Sequence, residues 1–357
     1  MADTLEKTDS LEKTMTSEAA FDGRPAILVT LKNASGMSVT FMDIGATWLS
    51  CKVPVAGDER EVLLGVSTMA DFNRQAAYMG VSVGRYANRI AKGQFDIGGN
   101  LYQVETNQAG NTLHGGPNGF DKRRWKIAEQ GSDFVRYSLV SPDGDQGFPG
   151  EVTVSVTYQL TADNRVSICY EAETDTLTPV NLTNHAYFNL LGAESGHTCK
   201  EHIVELNALH YLPTNEVGIP LGELAPVFNT SFDFRKAKAI SDDLLSDEQQ
   251  ENAKGYDHSF WLDPERDIAD STATVALPDG SLKMKVFTGK PAIQLYTGNW
   301  LGGTPNRVGG EYQDYSGVAL ETQFLPDSPN HPEWAQESSI LEPGEKYSYT
   351  TDYQFEF

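Results

Sequence analysis

Cysteine, basic charge and long apolar runs are all scarce in this 357-residue chain. Only three cysteines occur, Cys51, Cys169 and Cys199. An odd number without CxxC spacing excludes a disulfide framework and a zinc knuckle, so they read as free, buried thiols of a reducing compartment. Lysine and arginine number 27 against 50 acidic residues, a formal net charge of −23. A surface of that sign repels phosphate, so neither nucleic acid nor an anionic membrane is an expected partner. No stretch approaches the roughly 18 apolar residues of a membrane-spanning helix. Residues 1–20 carry acid and lysine where a signal peptide needs an apolar stretch. They read as a flexible acidic tail ahead of a single domain over 21–357, and the expected location is the cytoplasm.

Signature motifs are missing as well. The glycines of GRYANRIAKG have neither Walker spacing nor GxGxxG, which disfavours phosphate cradling. No Gly-x-Ser-x-Gly elbow supports a serine hydrolase. His114, His185, Asp257 and Glu321 are all potential metal ligands, but no HxH or HExxH pair concentrates them locally, so no metal site is expected. Helical patterning is thin. The best stretch is residues 237–253, with Ser241 as a possible cap and Gly255 as a possible stop.

What the chain does have is a period of two. Val152, Val154, Val156, Tyr158 and Leu160 alternate with Thr153, Ser155, Thr157 and Gln159. After the turn-prone 161–164 the alternation resumes at Val166, Ile168 and Tyr170, which predicts an antiparallel hairpin with one buried face. Val275 and Leu277, then Pro278-Asp279-Gly280, then Leu282, Met284 and Val286 predict a second hairpin around a tight turn. Further strand-like runs are 26–31, 38–41, 135–140, 203–206, 292–296, 318–321 and 347–357. Many short strands, punctuated by Gly, Pro, Asn and Asp and never alternating with long helices, indicate an all-β fold. The pattern fits a large antiparallel β-sandwich with few short helices.

Function in such a fold tends to lie where strand rhythm gives way to polar, glycine-rich segments. Five qualify: residues 84–90, 111–116, 181–189, 255–258 and 320–327. Each mixes aromatics with amides, His, Arg or a carboxylate, a combination suited to sugar hydroxyls and the apolar C–H face of a pyranose. Asp257 and Glu321 are candidates for a glycosidase pair, which their separation in space would decide.

Eight strings in sequence order carry a resemblance: GRYANRIAKGQF, NTLHGGPNGFDKRRW, DGDQGFPG, NLTNHAYFNL, NTSFDFR, KGYDHSF, QLYTGN and ALETQFLPDSPNHPEW. Together they resemble the aldose 1-epimerase (galactose mutarotase) family from about residue 25 to the C-terminus, with a flavour closest to the bacterial members. The resemblance implies a β-supersandwich, no cofactor, and interconversion of the α and β anomers of free hexoses such as galactose and glucose by a monomer or homodimer. Carried over, the general base falls on Glu321 and the general acid on His185. Substrate contacts fall on Asn88, Arg89, His114, Ala186, Tyr187, Asp257 and Gln294.

These residue types suit the reaction. Opening the ring removes a proton from the anomeric hydroxyl and delivers one to the ring oxygen, and closure reverses both. A carboxylate and an imidazolium meet that need, and negative charge from Asp257 or Glu321 is expected to keep His185 protonated. Tyr187 and Phe324 are expected as walls of the site. His258 and His331 read as structural, and Lys122-Arg123-Arg124 as a solvated turn rather than a phosphate site. A glycoside hydrolase and a non-catalytic sugar binder are the competing classes. Keeping both His185 and Glu321 disfavours the binder, because binding alone needs no acid–base pair.

Overall fold

The computed structural model describes residues 11–357. The strongest alternating runs pair to form the middle of a nine-stranded antiparallel sheet. In spatial order its strands are Lys126–Gln130, Phe134–Ser141, Val152–Leu160, Arg165–Thr174, Tyr347–Glu356, Lys283–Thr288, Ala273–Ala276, Ile203–Leu206 and Lys238–Ala239. Both expected hairpins lie within it, with Val152–Leu160 against Arg165–Thr174 and Ala273–Ala276 against Lys283–Thr288. In the second turn it is Gly280 that takes the left-handed conformation, at φ +72°.

Two further antiparallel sheets pack against this one. A six-stranded sheet runs Tyr187–Phe188, Val318–Gln323, Ala292–Tyr296, Asp257–Trp261, His210–Leu212 and Ala225–Pro226. A four-stranded sheet runs Leu28–Lys32, Ser38–Met42, Thr47–Val55 and Asp58–Glu61. The core is where their apolar faces meet. Trp48 of the four-stranded sheet, wholly buried, lies 5.6 Å from the ring of Phe188 in the six-stranded sheet and 5.7 Å from Tyr353 in the nine-stranded one. Tyr353 Oη donates to the Leu320 carbonyl at 2.8 Å, so a hydrogen bond also crosses the layers. Aromatic residues dominate this junction because each buries a large apolar area and interlocks with its neighbours at tilted angles.

The structure corrects two expectations. The run 237–253 is not one helix. It divides into the strand Lys238–Ala239, a 3₁₀ turn Ile240–Asp242 and a helix Glu248–Ala253 capped by Asp247. The buried Gln250 side chain explains the break. Its amide donates to the Asp243 carbonyl at 2.9 Å and accepts from Leu245 N at 2.7 Å, satisfying backbone groups that a continuous helix would otherwise occupy. The second correction concerns the tail. Residues 1–10 lie outside the described residues, but 11–20 are docked: residues 11–15 are helical, and Met15 has no exposed surface. Met15 packs in a cluster with Met42, Leu64 and Phe72. Of the cysteines, Cys51 and Cys199 are buried and Cys169 is half-buried; all three are free.

Met15→Ala is expected to cost about 2–5 kcal/mol, the range for emptying a buried methionine site. Chemical denaturation reads this directly. An unchanged midpoint would mean that the segment contributes nothing to the fold.

Candidate active site

The six-stranded sheet sets out one wall of the site by register. Residues paired directly across antiparallel strands point to the same face. Tyr187 pairs with Ala319, Ala319 with Tyr296, and Tyr296 with Asp257, which makes one row. Glu321 pairs with Gln294, and Gln294 with Ser259, which makes the next row two residues along. Alternation in Val318–Gln323 sends Val318 and Leu320 into the core and Ala319 and Glu321 to the opposite face. A slip of one residue would bury Leu320 in the site and Glu321 in the core.

His185 precedes its strand by two residues and therefore joins the Tyr187 face. Its backbone is held at both ends, with N donating to Val81 O at 3.0 Å and O accepting from Gly80 N at 2.8 Å. Its ring stacks on Tyr187 at 4.8 Å. The second wall comes from the paired segments Arg89–Ile90 and Thr112–Leu113. Asn88 and His114 flank it in left-handed conformations, φ +64° and +52°. Each locks the other: Asn88 N donates to His114 Nδ1 at 3.1 Å, and His114 N donates to Asn88 O at 3.0 Å.

Between these walls lies a cavity of about 270 Å³. Its lining includes Asn88, Arg89, His114, His185, Tyr187, Asp257 and Glu321. His185 Nε2 and Glu321 Oε1 are 3.5 Å apart, with side chains 5% and 3% exposed. Arg89 does not touch Glu321; its Nη2 lies 3.7 Å from Asp257 Oδ2. Asp257 Oδ1 accepts from Gln294 Nε2 at 2.7 Å, and the Asp257 amide donates to Nδ1 of the buried His258 at 3.1 Å.

Electrostatics overturn one expectation. Burial pushes Glu321 up to about 8 from the ordinary 4.5, with the Asp257 charge adding to the rise. Burial likewise takes His185 down to about 4, and the nearby Asp257 charge does not reverse it. His185 is therefore not held as an imidazolium by its acidic neighbours, because loss of water outweighs their attraction. The neutral pair and the ion pair carry the same proton count, so Glu321 and His185 share one movable proton across 3.5 Å.

The chemistry of the donors also bears on metal binding. His114, His185 and Glu321 bring one potential ligand atom each within 4.8 Å of one another. A metal-bound imidazole donates its second N–H to a neighbour. Here His114 Nδ1 accepts an amide proton, so its hydrogen sits on Nε2, which makes that nitrogen a donor and not a ligand. The trio is built to hydrogen-bond an oxygen-rich substrate and fits a cation poorly.

Not every expected contact reaches the cavity. Ala186 packs in the main core, and Gln294 lies beneath the site, where it orients Asp257. Phe324 is not a wall; its ring packs against Lys290 and Tyr349 instead. Lys122-Arg123-Arg124 is not a free basic turn, since Arg123 pairs with Asp145 at 2.6 Å and Arg124 with Asp22 at 2.7 Å and with Asp43. His331 is scaffold, stacked on Trp334 at 4.1 Å. Sequence reasoning missed Tyr78, Gln108, Tyr296 and Trp300, all of which line the cavity. Tyr78 sits edge-on to His114 at 4.6 Å, whereas Trp300 is two-thirds exposed. Tyr296 lay within the quoted QLYTGN, two residues beyond Gln294 in a strand-like run, and that same-face spacing was the available signal.

The glycosidase reading loses ground on this geometry. The ionisable group beside Glu321 is His185, while Asp257 is committed to Gln294 and Arg89. The sequence profile described as aldose 1-epimerase matches residues 28–354. The chain belongs to the aldose 1-epimerase family. It is 50% identical over 341 residues to the aldose 1-epimerase of Escherichia coli, covering 95% of this chain and 98% of that one. It is 40% identical over 302 residues to human galactose mutarotase, covering 84% and 85%. Among solved structures, galactose 1-epimerase from Lactobacillus acidophilus aligns with a TM-score of 0.80 at 31% identity, covering 94% of this chain and 96% of that one. Like other members of the aldose 1-epimerase family, the chain is an isomerase built on the galactose mutarotase-like sandwich.

The raised carboxyl has a consequence for stability. An unfolded Glu321 ionises near pH 4.5, whereas the folded one keeps its proton to about 8. Between those values the unfolded state holds fewer protons, so this group's contribution to stability falls as pH rises. Glu321→Gln removes the penalty and is expected to stabilise the protein at pH 7 by roughly 3 kcal/mol, with no gain near pH 4. Denaturation at the two pH values tests this, and an equal effect at both would contradict the assigned shift.

Proposed function

We propose that this chain opens and re-closes the ring of free aldohexoses such as galactose and glucose, with Glu321 as base and His185 as acid, in cytoplasmic hexose metabolism. The carrying observation is the 3.5 Å approach of the two groups at the wall of one cavity. Three free cysteines accord with a reducing compartment.

In the reactive complex Glu321 is the carboxylate and His185 the imidazolium. Glu321 takes the O1 proton as the C1–O5 bond breaks, and His185 gives its proton to O5. The open-chain aldehyde then faces a neutral carboxyl and a neutral imidazole. That is the protonation pattern burial favours, so the dry site lowers the cost of ring opening. Rotation about C1–C2 presents the other face of the aldehyde, and the two protons return as the ring closes. Atoms and charge balance without a redox or group-carrying cofactor. His114 Nε2–H and the Arg89 guanidinium are donors for the hydroxyls and for charge developing on oxygen. Asp257 and Asn88 supply acceptors, and Tyr187 supplies an apolar face.

Glu321→Gln and His185→Asn are each expected to lower the rate by about 10²–10⁴-fold, read by polarimetry of freshly dissolved α-galactose. Either variant at full activity would refute its assigned role. The pair holds one movable proton between its two pKa values, about 4 and about 8. Below the lower value the base is lost, and above the upper one the acid is lost. kcat/KM should therefore follow a bell with limbs near those values. A profile flat from pH 5 to 9 would overturn the pairing.

A further inference from the structure

We propose that Gln108 and Gly218 are positioning residues that fix the plane of the Arg89 guanidinium. This rests on the reading of Arg89 as a substrate contact. Gln108 Oε1 accepts from Arg89 Nε at 2.8 Å, the shortest contact the guanidinium makes. Its other partners are looser, with Nη1 3.4 Å from Asn88 Oδ1 and Nη2 3.7 Å from Asp257 Oδ2. Anchoring Nε leaves the two terminal nitrogens with spare N–H groups, and these are the ones that reach an oxygen-rich ligand.

Gly218 closes the other side. A Cβ built there would lie 2.6 Å from Arg89 Cζ and 2.8 Å from both Nε and Nη1. The glycine backbone is therefore pressed against the guanidinium, and any side chain would displace it. Gly218 also takes φ +77° in a tight turn. Gly218 N donates to Asn215 O at 2.9 Å, and Asn215 Oδ1 accepts from Val217 N and Ile219 N. That turn gives the glycine a fixed position, so the guanidinium is the part that must yield. Long flexible side chains lose substantial entropy when ordered. A guanidinium already held in place meets less of that cost on binding sugar.

The test compares mutarotation kinetics and thermal melts of Gln108→Met, Gln108→Glu, Gly218→Ala, Arg89→Ala and the Gly218→Ala/Arg89→Ala double variant. Gln108→Met and Gly218→Ala should each raise KM about tenfold, the scale of one charge-assisted hydrogen bond. kcat should fall by less than KM rises, since the guanidinium's hydrogen bonds to the hydroxyls are made in ground and transition state alike and only its part toward the developing charge is specific to the latter. Gln108→Glu keeps the acceptor and should stay closer to wild type than Gln108→Met. The deciding arm is the double variant: with no guanidinium to displace, Gly218→Ala should raise KM no further. An equal rise in both backgrounds would overturn the proposal, as would an unchanged KM in Gln108→Met. If Gly218→Ala melts early, Gln108→Met and Gln108→Glu carry the test alone. Arg89→Ala with unchanged KM would instead overturn the underlying reading of Arg89.

Discussion

Taking a carboxyl and an imidazole out of water together is the constraint on which this site depends. Either charge alone would be expensive in a dry wall, and the surroundings do not relieve that cost with a direct counter-ion. The nearest guanidinium, Arg89, is directed at Asp257, which is also held by Gln294. Had Arg89 been placed against Glu321, the carboxyl would ionise freely and become a weak base. The Arg89–Asp257 pair thus keeps positive charge in the cavity for oxygen ligands while leaving the proton-sharing pair poised. Glu321 Oε2 and His185 Nδ1 are buried without a protein partner, as expected of groups whose polar partner is a ligand or water.

The geometry that enforces this is register. Glu321, Gln294 and Ser259 sit side by side because three central strands pair in one alignment, and Tyr187, Tyr296 and Asp257 fill the adjacent row. Sheet positions of this kind fix a side chain more tightly than loops do. Asn88 and His114, which approach from outside that sheet, hold left-handed conformations and brace one another by reciprocal hydrogen bonds. Strain at such positions persists where the surroundings over-determine it.

What the sequence disclosed, and what it hid, follows the same division. Long alternating runs such as 152–160 and 165–174 were legible because their burial pattern is local. Two-residue strands such as Tyr187–Phe188 and Thr183–Asn184 exist only through partners far away in the chain, so no local period marks them. The expectation of a helix over 237–253 is longer than the helix Glu248–Ala253 because helical composition continues upstream, while Lys238–Ala239 answers to a strand edge it pairs with in space. At the site, Glu321, His185, Arg89, His114 and Asp257 lay in strings specific enough to be read. Gln108 and Gly218 lay in no such string, since they act only through a neighbour brought in by folding. The protonation of His185 is not legible in the sequence for a related reason. A sequence displays neighbouring charges, but it does not display the exclusion of water that outweighs them.

The aromatic lining completes the logic. Tyr78, Tyr187 and Tyr296 surround His185 at ring distances of 6.0, 4.8 and 6.4 Å. They exclude water, which is what separates the two pKa values of the acid–base pair. Their own hydroxyls are pushed away from neutrality by the same burial, Tyr78 to about 12 and Tyr187 and Tyr296 also upward. None of the three competes for protons near pH 7. His114 is likewise held neutral, well below its ordinary value, by burial and then by the nearby His185 and Arg89 charges. The wall therefore does two things with one property: low polarity makes the surrounding groups inert to titration, and it leaves Glu321 and His185 with a single proton to exchange. A more hydrated cleft would bind a hexose equally well through Arg89 and Asp257, but it would bring Glu321 and His185 back toward their ordinary pKa values. The ring-opened state would then lose the advantage that a neutral pair gains from being dry.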